Sequence, residues 1–334
     1  MLLLVCVSVF CFFSCKNVLY MWIFLELVSL LVLFYVILLG LRDVNLVGVV
    51  IYFLLQALGG VMFVMGIMFD FCVYGNLVSV LSPVSYVCLF FMVLGLLLKM
   101  GIYPFYFWVA RVYVLMEGKQ CFYVGVYSKI IPLLLFFFAS GVLGMGFLFF
   151  LAMFSVVLSG VLGVFMTDVR GLMGLSSVGH SGWFLVSMLG GIIMFFFYFC
   201  FYAFFNYLVF FGMSFRGVNV FFNFGRGQTG GWGLKLLVFL VFFSIGGFAP
   251  SLGFFLKVFL MGSVLSIWGF LYCVLFLLLG GGVVFFYCRV LQFLFSVNSN
   301  YGVLRVGVNK DVFCGLWVVI LFVFLLFFLV FFYV

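Results

Sequence analysis

The stretch Lys99-Met-Gly-Ile-Tyr-Pro-Phe-Tyr-Phe-Trp108 sets a lysine and two helix breakers, Gly101 and Pro104, inside an apolar run. Proline removes a backbone donor and clashes with the preceding turn. Glycine lets the chain leave helical geometry. A second stretch, Ser244-Ile-Gly-Gly-Phe-Ala-Pro-Ser-Leu-Gly-Phe-Phe-Leu-Lys257, repeats the arrangement with Gly246, Gly247, Pro250 and Gly253. Lipid cannot satisfy broken backbone, so such segments must line a cavity or pack on other helices. Transporters use discontinuous helices to build ion sites near the midplane. The plainer reading is a packing kink, and a lysine beside both breaks weighs against it.

Working outward, the surrounding sequence is membrane sequence. The chain has 334 residues, of which 70% are hydrophobic and 6% charged. A soluble globule could not hide that much apolar surface. At about 20 residues per span, the apolar runs give eleven helices: 1–15, 18–41, 46–69, 84–110, 121–140, 143–166, 171–190, 192–214, 235–265, 267–296 and 312–334. The expected fold is therefore an all-α polytopic membrane protein with two discontinuous helices and one transmembrane domain over residues 1–334. Met1–Phe13 lacks a basic leader region and reads as a retained first span. The 56 Phe and 39 Gly against one His and four Pro suggest a strand-biased genome, such as a mitochondrial one.

The basic residues test the span count. Of the 14, Lys99, Lys129 and Lys257 are intramembrane. Ten others (Arg42, Arg111, Lys119, Arg170, Arg216, Arg226, Lys235, Arg289, Arg305 and Lys310) fall beside the connections after even-numbered spans, and only Lys16 lies opposite. By the positive-inside rule the N-terminus faces the basic side, the matrix of a mitochondrion. The net charge of +8 is then topological, with no exposed basic face for nucleic acid.

A charge at bilayer depth is costly and usually functional. Glu26 lies in Trp22-Ile-Phe-Leu-Glu26-Leu-Val-Ser29, apolar on every side, and either carries protons or forms a structural pair with a lysine. Lys129 follows the small residues Gly125 and Ser128, which permit close helix approach. His180, the only histidine, is either a relay between lysines or a helix–helix hydrogen-bonder. Asp70 is expected at a helix mouth. The ten cysteines form no CxxC pair, and Cys11 and Cys15 read as buried hydrophobes. No metal-ligand cluster and no dinucleotide fingerprint are present in the sequence.

Four ordered motifs resemble the antiporter-like membrane subunits of respiratory complex I, NADH:ubiquinone oxidoreductase, and among them the chain 2 type. They are Lys99, Gly101, Pro104, Phe105, Trp108 and Val109; Ser128 with Lys129; Ser176, Ser177, Val178, His180, Gly182 and Trp183; and Ser244, Gly247, Pro250, Gly253, Phe254 and Lys257. Tyr106, Ala110, Arg111 and Ala249 depart from the family pattern, while the lysines are retained. The resemblance implies a fold lacking the first three helices of the fourteen-helix form. It implies proton translocation through Glu26, Lys99, Lys129, His180 and Lys257, with no redox chemistry in this chain. Flavin, iron–sulfur clusters and quinone would belong to partner subunits, so no cofactor and no metal is expected here. Other membrane-arm subunits, neighbouring antiporter-like chains and phospholipid are the expected partners, in the mitochondrial inner membrane. The rival readings are a chain 4 or 5 type, a cation/proton antiporter subunit, and a passive membrane scaffold.

Overall fold

The computed structural model describes residues 2–15, 17–39, 43–74, 86–214, 232–249 and 251–295. Every regular element among them is helical. The helices are α1 (Leu2–Ser14), α2 (Val18–Leu39), α3 (Asp43–Tyr74), α4 (Tyr86–Met100), α5 (Phe107–Leu115) and α6 (Gly118–Phe122). A π-helical turn, Tyr123–Tyr127, joins α6 to α7 (Ser128–Ala139). There follow α8 (Met145–Phe165), α9 (Val169–Leu189), α10 (Ile192–Ser214), α11 (Trp232–Gly246), α12 (Leu252–Trp268) and α13 (Phe270–Phe295).

Ten of the eleven expected spans coincide with these helices. The last, 312–334, lies outside the described residues, as does Pro250. Seven helical stretches among the described residues are long and apolar enough to cross a membrane. The expected breaks are present: the fourth span parts into α4 and α5, and the ninth into α11 and α12. The π-turn in the fifth span was not foreseen.

The helices are apolar on both sides. On α2, Val28, Val32 and Val36 are buried, while Leu30, Phe34 and Ile37 are exposed. A helix at a water boundary would carry polar residues on its outer face. With hydrocarbon outside, burying Leu or Phe between helices gains little, and close packing must supply the cohesion.

The chain forms two compact units. The first comprises residues 1–155 with 170–185. There α3 packs along α4 and also contacts α2 and α5, and α7 lies against α1, α2 and α4. The second comprises residues 156–169 with the described residues from 186 onward. There α11 packs against α10, α12 and α13. Gly160 of α8 and Gly282 of α13 bring two backbones together, since a Cβ on Gly160 would lie 3.1 Å from the Gly282 carbonyl carbon.

Candidate proton-transfer site

Both breaks close in the same way. A helix end leaves four carbonyls without intrahelical donors. At the end of α4, Gly101 is left-handed with φ +68°. Its N–H donates to Leu98 O at 3.3 Å and the Ile102 N–H donates to Leu97 O at 3.2 Å. At the end of α11, Gly247 has φ +77°. Its N–H donates to Ser244 O at 3.1 Å and that of Phe248 donates to Phe243 O at 3.4 Å. These are paired Schellman closures, which favour glycine because a Cβ is strained at positive φ. Side chains complete the first closure. Trp108 Nε1 donates to Leu98 O at 3.2 Å, and Gln56 Nε2 donates to Lys99 O at 3.2 Å.

With its carbonyl held, Lys99 turns its side chain toward α2. Its Nζ lies 2.6 Å from Glu26 Oε1, forming an ion pair. The Lys99 side chain is 1% exposed and that of Glu26 23%. An unpaired ammonium at that depth would cost about 3 kcal/mol or more, and the carboxylate offsets it. Ser29 Oγ donates to Glu26 Oε2 at 3.2 Å. The pair fits because α3 presents two glycines to it. A Cβ on Gly59 would stand 2.6 Å from Lys99 Cγ, and one on Gly60 would overlap the Glu26 carboxylate.

Lys129 meets neutral oxygens. Its Nζ donates to Ser177 O at 2.9 Å and to Ser177 Oγ at 3.3 Å. The π-turn ends immediately before Ser128 and Lys129, and such turns are frequent at functional sites. Ser128 Oγ donates to Val124 O inside that turn. Pro132, one turn further on, has no N–H for the Ser128 carbonyl. The fifth span is therefore loosened on both sides of its lysine.

His180 is buried on α9, three residues beyond Ser177 and so on the same side of the helix. In the second unit, Lys257 is 4% exposed, and its Nζ donates to Gly246 O at 3.0 Å, reaching back across the break to the end of α11. A helix C-terminus carries partial negative charge and stabilises a cation. Asp70 is 3% exposed, more enclosed than a helix mouth suggests.

The sequence-derived set thus resolves into Glu26 with Lys99, Lys129 with Ser177, and Lys257 with its own helix break. Sequence reasoning missed Gln56, Gly59, Gly60, Pro132 and the π-turn. With only four prolines in the chain, Pro132 was a usable signal. Among the described residues no three His, Cys, Asp or Glu side chains gather as metal ligands. The site can hold protons on lysines that have unlike partners.

The profile of the family described as NADH:quinone oxidoreductase/Mrp antiporter, transmembrane, matches residues 15–282. The chain belongs to this family. NADH-ubiquinone oxidoreductase chain 2 of Anopheles gambiae is 29% identical over 213 residues, which cover 62% of this chain and 59% of that protein. The protein of the same name from Lumbricus terrestris is 25% identical over 252 residues, covering 73% and 71%. The matched part therefore spans less than two thirds of the Anopheles relative's length. A chain in respiratory complex I from Thermus thermophilus superposes with a TM-score of 0.75 over 94% of this chain and 74% of its own, at 21% identity. That likeness concerns the fold, which is that of antiporter-like membrane subunits.

Proposed function

We propose that this chain is a proton-translocating membrane-arm subunit of respiratory complex I, with NADH oxidation performed by partner subunits. The observation that carries the reading is the pairing of buried lysines with interrupted helices in a member of this family. Glu26 holds Lys99 charged. When that pair weakens, Lys99 gives up its proton toward Lys129, whose neutral partners hold a charge less firmly. His180 serves beside Ser177 as a relay, and Lys257 is the station at the second break. Lysine suits this role because its ammonium yields a proton when its surroundings disfavour the charge.

The relatives' names and the apolar helices support a multi-pass protein of the mitochondrial inner membrane; the placement of its N-terminus toward the matrix rests on the ten-to-one split of basic residues alone. Flavin, iron–sulfur clusters and quinone are assigned to partner subunits, and other antiporter-like chains and phospholipid are its neighbours. The family match runs through both units, which supports reading the chain as one antiporter-like domain.

Lys129→Met keeps the bulk and removes the proton. In the assembled complex it should sharply lower proton translocation per NADH oxidised, measured in proteoliposomes. Full pumping by a correctly assembled variant would overturn the reading and favour a passive scaffold.

A further inference from the structure

One buried group on α3 lies within interaction range of Glu26 and of Ser128, the residue before Lys129. Tyr52, Gln56, Gly59 and Gly60 share one face of α3 at helical spacing. Gln56 holds the Lys99 carbonyl, and the two glycines seat the Lys99 and Glu26 side chains. Tyr52, one turn before Gln56, is fully buried. Its ring lies 6.3 Å from that of Trp108, whose indole closes the same break. Its hydroxyl has no hydrogen bond of ordinary geometry among the described residues. It nevertheless lies within interaction range of the Ser128 hydroxyl and within electrostatic range of Glu26.

An enclosed phenol without a firm partner is a cost to the fold, about 1–3 kcal/mol for a buried hydroxyl. Phenylalanine would fill the same space without it, and the chain contains 56 of them. Retaining the hydroxyl at the junction of two lysine stations therefore calls for a use. A phenol both donates and accepts, and hands on a proton without holding net charge.

We propose that Tyr52 is the relay residue between Lys99 and Lys129, with the Ser128 hydroxyl as the next acceptor. The inference rests on the function proposed above. In the transfer, a proton leaves the Lys99 ammonium and reaches the Tyr52 oxygen through water. The Tyr52 proton passes to the Ser128 oxygen, and the Ser128 proton passes to a neutral Lys129 amine. Lys99 ends neutral, Lys129 ends charged, and both hydroxyls stay neutral with their O–H bonds reversed. Rotation of the two hydroxyls resets the path, and no electron moves.

Tyr52→Phe, Ser128→Ala, their double variant and Lys129→Met should be compared in the assembled complex. The readouts are assembly on native gels, thermal stability, and protons translocated per NADH oxidised. Tyr52→Phe should assemble with equal or higher thermal stability, yet translocate fewer protons per NADH oxidised. Ser128→Ala should lower that ratio similarly, and the double variant should fall no further, because both hydroxyls lie on one path. Full translocation by Tyr52→Phe, with Lys129→Met defective, overturns the relay and leaves the wider reading standing. Full translocation by both overturns both. Failure of Tyr52→Phe to assemble shows that the hydroxyl holds the fold, and this too overturns the relay.

Discussion

Lys99 is more deeply buried than the carboxylate that pairs with it, so the pair is asymmetric: the lysine depends on Glu26 more than the reverse. Breaking a buried pair by removing one partner costs about 3–5 kcal/mol. Gly60→Ala tests this without removing any charge. The new methyl overlaps the Glu26 carboxylate and must displace it from Lys99. Coupled proton translocation should fall as it does in Glu26→Gln, and thermal inactivation of the complex should come earlier. Gly144→Ala is the control, because a Cβ there meets nothing within 4 Å. Equal behaviour of the two alanine variants would refute the seating role of Gly60. The charged residues were legible in the sequence because charge stands out in apolar surroundings. Gly59, Gly60 and Tyr52 were not, because 39 glycines and 17 tyrosines make any one of them unremarkable. Only the packing of α3 on α2 and α4 shows that these few face the ion pair.

At the scale of the element, the two breaks are legible as breaks, and their common closure is not. A sequence shows glycine and proline, but which glycine takes the left-handed position depends on where hydrogen bonding stops. Gly101 and Gly247 take it. Alanine at either position should cost about 1–2 kcal/mol through backbone strain alone. The functional losses should differ. A Cβ on Gly247 would stand 2.7 Å from Lys257 Nζ, whereas one on Gly101 meets Val109 and the Trp108 ring. Gly247→Ala should therefore impair translocation beyond what its lost stability explains, and Gly101→Ala should act mainly on stability. Stability and pumping measured side by side on the two variants decide the point. The π-turn before Lys129 had no single-residue signature, since it arises from a shift in hydrogen-bond register over Tyr123–Tyr127.

For the whole molecule, the sequence predicts sidedness from its basic connections. Lys119 lies on the short helix α6, between the fourth span and the π-turn, and Gly144 lies between α7 and α8, one residue before α8 begins. Lys119→Cys should react with an impermeant thiol reagent only from the matrix side, and Gly144→Cys only from the other. Gly144 accepts a side chain without contact, so labelling there leaves the fold undisturbed. Same-face labelling would refute the span count. The helical class and ten of the spans followed from apolar run length alone, because hydrocarbon thickness sets a minimum run. The grouping of helices into two compact units did not. It depends on which faces meet, and apolar residues on every face leave no stripe to announce that.

The Lys257 ammonium grips the last carbonyl of the helix before its own break. Charge-assisted hydrogen bonds are roughly twice as strong as neutral ones. A proton lost from that nitrogen therefore slackens a tether between two half-helices, as well as changing the local electrostatics. Chemistry at one atom becomes mechanical play in the backbone, with Gly247 as the pivot.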